Sequence, residues 1–478
     1  MEPVVAVTGG KISGRTVNGV SAFLGVPYAE PPVGPALFQA PRPPVPWAGV
    51  RAAVEFGASC PQTPYPPALA TIFGNQTVPG AESLNVNVWT PDPGGSGLPV
   101  LVWIHGGAFT RGSNALPVYD GAAFARDGVV LVSLNYRLGA AGFAVLDGAP
   151  SNRGLLDQQY ALAWVQENIS GFGGDPDNVT VFGESAGAMS IAALLASPRS
   201  AGLFAKAIIQ SGNGEVVATE DDARKVSAEI AATLGIAATA AEFAAAPLPD
   251  LLAAQEKAVA DLIADTDPAR WGASVITGGL ASLPLLPVLD GVVLTERPID
   301  AVAAGSARGI SLLIGHTSEE FRLFLVPTGV AAALTMDALP VVLGRYQLDV
   351  SCLEPYLARR PGASAGDLLS EVLTDRVFRV PARQLAHAQA ATGTPVFAFE
   401  FAWRRVDQDF GAFHALELPF VFDTLAAAPA LVGPNPAQSV ADEMHAAWVA
   451  FARTGDPGWP RDSAELPSVR VFDDPAPA

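Results

Sequence analysis

Cysteine is nearly missing from this chain of 478 residues: only Cys60 and Cys352 occur. Two thiols cannot build a disulfide scaffold or a four-thiolate zinc site. Basic residues are also scarce, with 28 Lys and Arg against 47 Asp and Glu and a formal charge of −19. Such a surface repels phosphate backbones and anionic lipid, so neither nucleic acid nor a membrane is an expected partner. Long hydrophobic runs are lacking: stretches such as Leu98–Ile104 fall far short of the ~20 residues that span a bilayer. The opening Met1-Glu-Pro-Val-Val5 has no basic stretch followed by an apolar one, so no signal peptide is expected and the expected location is cytoplasmic. There is no His-Glu-x-x-His, P-loop or dinucleotide fingerprint, and the expectation is a protein without metal or organic cofactor.

Apolar material is abundant. Half of the residues are hydrophobic and 16% are charged, enough to form a large core and to exclude a disordered chain. The 47 glycines and 42 prolines are spread along the chain rather than gathered in a linker. Runs of Val, Ile and Leu at Leu98–Ile104, Val129–Leu134, Val179–Phe182 and Ile310–Ile314 read as strands covered on both faces, because their hydrophobicity is continuous rather than alternating. Pro395–Phe401 is a further strand candidate. Leu155–Ile169 has helical spacing, and Ala186–Ala196 is a strong helix former ended by Ser197-Pro198. Strands alternating with helices predict an α/β fold with a mostly parallel sheet. The Ala-rich stretch Glu215–Asp265 reads as helices added at the sheet's upper edge, either a cap or a plain packing layer.

Two G-x-S-x-G pentapeptides occur, around Ser185 and around Ser364. A serine at a sharp strand-to-helix bend has its hydroxyl pushed above the sheet, and small residues two before and two after let strand and helix approach. Ser185 follows the strand-like Asn178-Val-Thr-Val-Phe182 and leads into an apolar helix, whereas Ser364 follows Arg359-Arg360-Pro361 and reads as a helix N-cap. Upstream, His105-Gly106-Gly107-Ala108-Phe109 follows a strand. Glycines there can turn backbone N–H groups into a pocket for a developing oxyanion, as can the N–H of Ala186 after the serine. The alternative for that segment is an ordinary Gly-rich turn. A serine nucleophile needs a base and a group to orient it. Of five histidines (His105, His316, His387, His414 and His445), His414 lies late in the chain and beyond a strand, where the order Ser, acid, His would place it. Glu319-Glu320 follows the Ile310–Ile314 strand; the pattern alone does not choose between the two carboxylates, or between an orienting acid and a solvated pair.

These motifs together resemble the type-B carboxylesterases of the α/β-hydrolase fold, the group of bacterial para-nitrobenzyl esterases and, more distantly, cholinesterases. The resemblance runs through Phe23-Leu-Gly-Val-Pro-Tyr-Ala-Glu-Pro-Pro-Val-Gly34, Trp47-Ala-Gly-Val50, Leu84-Asn-Val-Asn-Val-Trp-Thr-Pro91, the His105 loop and Asn135-Tyr-Arg-Leu-Gly139. It continues through Asn152-Arg-Gly-Leu-Leu-Asp-Gln-Gln159, Phe172-Gly-Gly-Asp-Pro176, Asn178 to Gly187, Gln210-Ser-Gly212, the Glu320 and His414 segments, and Phe451-Ala-Arg-Thr-Gly-Asp-Pro457.

The resemblance implies a single domain over 1–478 with helical insertions at roughly 215–300 and 325–390. It implies a Ser185, Glu320 and His414 triad, an oxyanion hole of Gly106, Gly107 and Ala186, and supporting roles for Ser211 and for Glu184 facing the pocket. The implied activity is hydrolysis of small-molecule carboxylic esters through an acyl-enzyme, by a monomer or dimer. Carbamates, lactones or amides on the same machinery, or a non-catalytic binding protein on the same fold, are the alternatives. The His105 loop also resembles those of esterases that accept tertiary-alcohol esters. Three departures stand out. Phe321 replaces the glycine that follows the family's catalytic acid. Cys60 matches half of a family disulfide whose other half is here Ser83. A family Arg–Glu pair reads Leu37 and Ala81, an apolar exchange of both partners that leaves no buried charge unpaired. Between Cys60 and Leu84 there is no tryptophan to hold a quaternary ammonium, so choline esters are not the expected substrates.

Overall fold

The computed structural model describes residues 2–474 apart from 281 and 406. Its centre is a sheet of ten strands: β1 (Arg15–Val17), β2 (Val20–Pro27), β3 (Asn85–Thr90), β4 (Leu98–Ile104), β5 (Val130–Leu134), β6 (Gly174–Glu184), β7 (Lys206–Gln210), β8 (Ser311–Thr317), β9 (Val396–Phe401) and β10 (Val469–Phe472). Their spatial order is β10-β9-β8-β7-β6-β4-β5-β3-β2-β1. From β10 to β5 every neighbour pair is parallel, and β3, β2 and β1 add on antiparallel. The continuous apolar runs have the burial they predict: alternate residues of β4 go to opposite faces, with Val100, Val102 and Ile104 in one core and Leu101 and Trp103 in the other.

Helices cover both faces. The ones that matter here are α1 (Arg153–Asn168), α2 (Ala186–Ala196), α3 (Glu220–Leu234), α4 (Leu248–Ala264), α5 (Ala365–Thr374) and α6 (Gln438–Thr454). The predicted α1 begins two residues early and gives way to a 3-10 turn at Ile169–Phe172. The stretch Glu215–Asp265 is helical as read, with α3, a short helix at Ala240–Ala245, and α4. Ser364 caps α5, its hydroxyl accepting the Asp367 N–H at 3.1 Å, so its pentapeptide is a cap and not a bend.

Two inner strands, β3 and β7, interrupt the continuous apolar pattern with buried polar residues. In β3, Asn85 and Asn87 are fully buried because their amides donate to the Ala58 and Asn114 carbonyls and to Ser133 Oγ. In β7 the first residue is Lys206, whose ammonium meets Asn178 Oδ1.

A buried ion pair anchors the turn after β5. Arg137 and Asp157 are 1% and 0% exposed and joined by two bonds, Nη2 to Oδ1 at 2.6 Å and Nε to Oδ2 at 2.8 Å. Arg137 Nη1 donates to the carbonyls of Leu37 and Gln39. Leu37 thus contributes its backbone where its side chain has no charge, and Ala81 is exposed. Asp157→Ala would leave that cation buried and unpaired, and is expected to destabilise the fold by about 3–5 kcal/mol. Urea unfolding checks this; an unmoved midpoint would contradict it.

Candidate active site

The carboxyl ends of four central strands stand level. Ile104 pairs with Gly183, Glu184 with Gln210, and Gln210 with Gly315. The residues just beyond therefore emerge side by side: His105 and Gly106 after β4, Ser185 after β6, Ser211 after β7, and Glu319-Glu320 after β8. Chain order also reverses here, since β5 and β6 lie on opposite sides of β4. Such a switch point opens a crevice above the sheet.

Ser185 sits at φ 53° and ψ −123°, a strained setting for a residue with a side chain. Its N–H donates to the Gln210 carbonyl at 3.0 Å, and its carbonyl accepts the Met189 N–H at 2.8 Å. The flanking glycines are required by contact. A Cβ on Gly187 would stand 2.0 Å from the Ile104 carbonyl oxygen, and one on Gly183 2.7 Å from the same atom. The residues on either side, Glu184 and Ala186, are buried, while Ser185 is partly exposed.

Gly106 lies against this bend: a Cβ there would be 2.6 Å from Glu184 Oε2 and 3.1 Å from Ser185 Cβ. Gly107 takes φ 113°, and Ala108 and Phe109 follow in left-handed conformations. His105 is not a candidate base. Burial pushes its imidazole down to about 4, so it is neutral, with Nδ1 donating to the Gly106 carbonyl at 2.8 Å. Its ring stacks on Tyr136, whose hydroxyl donates to the His105 carbonyl. Ala186 opens α2, and the first N–H groups of a helix have no partner within it.

Glu320 and His414 lie in direct contact. His414 Nδ1 donates to Glu320 Oε2 at 2.5 Å, and the His414 N–H donates to the Glu320 carbonyl at 3.2 Å. Glu320 Oε1 accepts from Ser211 Oγ at 2.6 Å and from the Thr317 N–H at 2.8 Å. Burial opposes its charge, but the His414 imidazolium and these donors hold the carboxyl below its usual range. Glu319, the other half of the pair, does different work: its Oε2 accepts the Ala412 N–H at 2.9 Å and so braces the loop that carries His414. Phe321 fills an aromatic cluster with Phe324 and Phe378, and these last two rings lie 5.4 and 4.8 Å from the His414 ring.

Glu184 faces this group. His414 Nε2 lies 2.9 Å from Glu184 Oε1, an electrostatic contact rather than a directed hydrogen bond, since that oxygen has no hydrogen-bond partner. Burial works against a charged imidazole, yet the two carboxylates, Glu184 and Glu320, carry it well above its usual value. The His414 ring thus lies between two carboxylates that favour its charged form. The other histidines lie elsewhere: His316 Nδ1 is engaged by the Thr317 carbonyl, and His445 Nδ1 by the Val421 carbonyl, with His445 Nε2 at Asp127.

One group escaped the sequence reading. Glu417, 1% exposed, accepts from Gln210 Nε2 at 3.1 Å, and Gln210 Oε1 accepts from Trp448 Nε1 of α6 at 3.0 Å. Burial, with Glu184 and Glu320 nearby, pushes the Glu417 carboxyl up to about 8, so it is protonated at neutral pH. Its position three residues after His414, in an otherwise apolar run, was the available signal.

Cys60 is free and buried, its thiol pushed up to about 12 by burial, with Sγ 3.8 Å from the Ser83 carbonyl oxygen. Among the described residues no helix is long and apolar enough to cross a membrane, and no group of three or more His, Cys, Asp or Glu is placed to hold a metal.

The family model for the carboxylesterase family matches residues 1–473. The para-nitrobenzyl esterase of Bacillus subtilis (strain 168) is 40% identical, over 98% of this chain and 94% of its own. The phenmedipham hydrolase of Pseudarthrobacter oxydans is 34% identical, over 99% and 95%. Among solved structures, a thermophilic PNB esterase superposes with a TM-score of 0.85 at 37% identity, covering 99% of this chain and 96% of its own. The Geobacillus stearothermophilus carboxylesterase EST55 gives 0.82 at 37%, over 98% and 96%. With the sheet, the bend at Ser185 and these likenesses together, the chain belongs to the carboxylesterase family and is a carboxylic-ester hydrolase of the α/β-hydrolase fold.

Proposed function

We propose that the chain hydrolyses small-molecule carboxylic esters through an acyl-enzyme on Ser185, with His414 as base and Glu320 as its orienting acid. The observation that carries this reading is the 2.5 Å bond from His414 Nδ1 to Glu320, made by a ring whose other nitrogen faces the residue before Ser185. Once deprotonated, Nε2 exchanges its contact with Glu184 for the neighbouring Ser185 Oγ and takes the hydroxyl proton as Oγ bonds to the ester carbonyl carbon. The carbonyl oxygen becomes an anion that accepts from the N–H groups of Gly106, Gly107 and Ala186. As the carbon–oxygen bond to the alcohol breaks, the imidazolium returns the proton to the departing oxygen. Water then repeats the sequence on the acyl-enzyme and releases the acid. Ser211 acts on Glu320, fixing one carboxylate oxygen while the other serves His414. Glu184 stabilises the imidazolium that each half-reaction forms. The helices inserted between β7 and β9 wall the site in a single-domain chain.

Ser185→Ala is expected to lower kcat/KM on a para-nitrophenyl ester by at least about 10³-fold, and to abolish labelling by a fluorophosphonate. Ser364→Ala, a helix cap, leaves both unchanged. Turnover near wild type in the first variant overturns the assignment.

Only neutral His414 can accept a proton, and its two carboxylates hold it above its usual value. Activity therefore rises with pH through an apparent pKa above the ordinary imidazole value of about 6.5. Glu184→Gln removes one anion, destabilises the imidazolium and moves that rising limb to lower pH. A pH profile of kcat/KM, with the imidazole followed by NMR, checks the sign; an upward shift would contradict it.

A further inference from the structure

The oxyanion loop is fastened from outside by a group that the reaction above does not use. Arg111 ends that loop, and its guanidinium joins three parts of the chain. Nη2 donates to Glu256 Oε2 of α4 at 2.5 Å and to Thr63 Oγ1 at 3.1 Å. The Thr63 hydroxyl in turn donates to Glu256 Oε1 at 2.7 Å, which closes a ring of three side chains. Nε donates to the Pro64 carbonyl at 3.2 Å, and Nη1 to Thr110 Oγ1 at 3.2 Å. The Arg111 side chain is only 12% exposed, so this is not a loose surface pair.

The backbone of the same residue touches the proposed donors. The N–H groups of Thr110 and Arg111 both donate to the Gly107 carbonyl, at 3.1 and 2.9 Å. The loop folds back so closely that a Cβ on Gly107 would stand 2.2 Å from the Arg111 carbonyl oxygen. Neighbouring contacts pull the same way. Gln62 makes two hydrogen bonds to the Gly112 backbone, and Gln255, beside Glu256 on α4, accepts the Ala140 N–H at 3.0 Å. Between Gly107 and Arg111, Ala108 and Phe109 hold φ values of 56° and 59°. Non-glycine residues persist in that region only where their surroundings over-determine them.

We propose that Arg111, gripped by Glu256 and Thr63, is a positioning residue that aims the Gly106 and Gly107 N–H groups at the oxyanion. The proposal rests on the acyl-transfer reading of Ser185. The clamp holds a strained loop in register; without it the loop relaxes and the amides leave the point where the carbonyl oxygen becomes charged. The interaction lost belongs to the transition state, so kcat falls and KM does not.

The test compares wild type, Arg111→Met and Glu256→Gln on para-nitrophenyl acetate, and measures inhibition by an aryl trifluoromethyl ketone. In that adduct Ser185 Oγ bonds to the ketone carbon, its proton passes to His414, and the ketone oxygen becomes the anion that the loop must hold. Removal of a whole oxyanion donor costs about 10²–10³-fold, so mispositioning is expected to lower kcat about tenfold in both variants, with KM within about twofold and the ketone's Ki raised about tenfold. In variants shown by circular dichroism to be fully folded, a merely structural role would leave Ki unmoved. Unchanged kcat and Ki in the folded variants overturn the proposal. Glu256→Gln, which leaves every Arg111 atom in place, decides the matter if Arg111→Met does not fold. A wild type that neither turns over the ester nor takes a fluorophosphonate would instead overturn the reading of Ser185.

Discussion

A single imidazole between two carboxylates organises the centre of this molecule. Glu184, Glu320 and His414 are all at most 4% exposed, so their charges act through protein rather than through bulk water. One cation cannot neutralise three nearby acids. Burial, with the other two carboxylates nearby, makes the third, Glu417, keep its proton, so the cluster carries no third negative charge. This division also separates the tasks of the groups. Glu320 accepts from three donors, which orient both of its oxygens. Glu184 keeps Oε1 without a hydrogen bond, 2.9 Å from the His414 ring nitrogen.

The cluster exists because four strand ends are level and because backbone can touch backbone between them. Gly183 and Gly187 let the bend at Ser185 close on the Ile104 carbonyl, and Gly106 lets the next loop rest on Ser185. Any larger residue at these points would part the strand ends and separate groups that are far apart along the chain. The helices on both faces hold the sheet rigid, and a rigid sheet is what keeps a strained serine in its setting.

Much of this could be read from residues alone, for reasons that can be named. Buried parallel strands such as β4 and β5 announce themselves by continuous Val, Leu and Ile, and the serine bend by the spacing of its glycines. β3 and β7 did not, because their buried polar residues, Asn85, Asn87 and Lys206, are satisfied by partners distant in sequence. The choice of Glu320 over Glu319 came from family resemblance, since two adjacent carboxylates differ only in which way the chain turns. Glu417 and the Arg111–Glu256–Thr63 ring were illegible for a similar reason. Each depends on side chains more than a hundred positions apart, and no local pattern marks such a meeting.

The link from Trp448 through Gln210 to Glu417 runs from the last long helix to the middle of the sheet. During synthesis Ser185 and its glycine loop leave the ribosome well before His414 and Trp448, which lie far downstream. Until that segment arrives, a nascent chain carries Ser185 without the imidazole that lies beside its bend in the fold. On the reading proposed above, a reactive hydroxyl then appears only once this downstream segment has packed against the sheet.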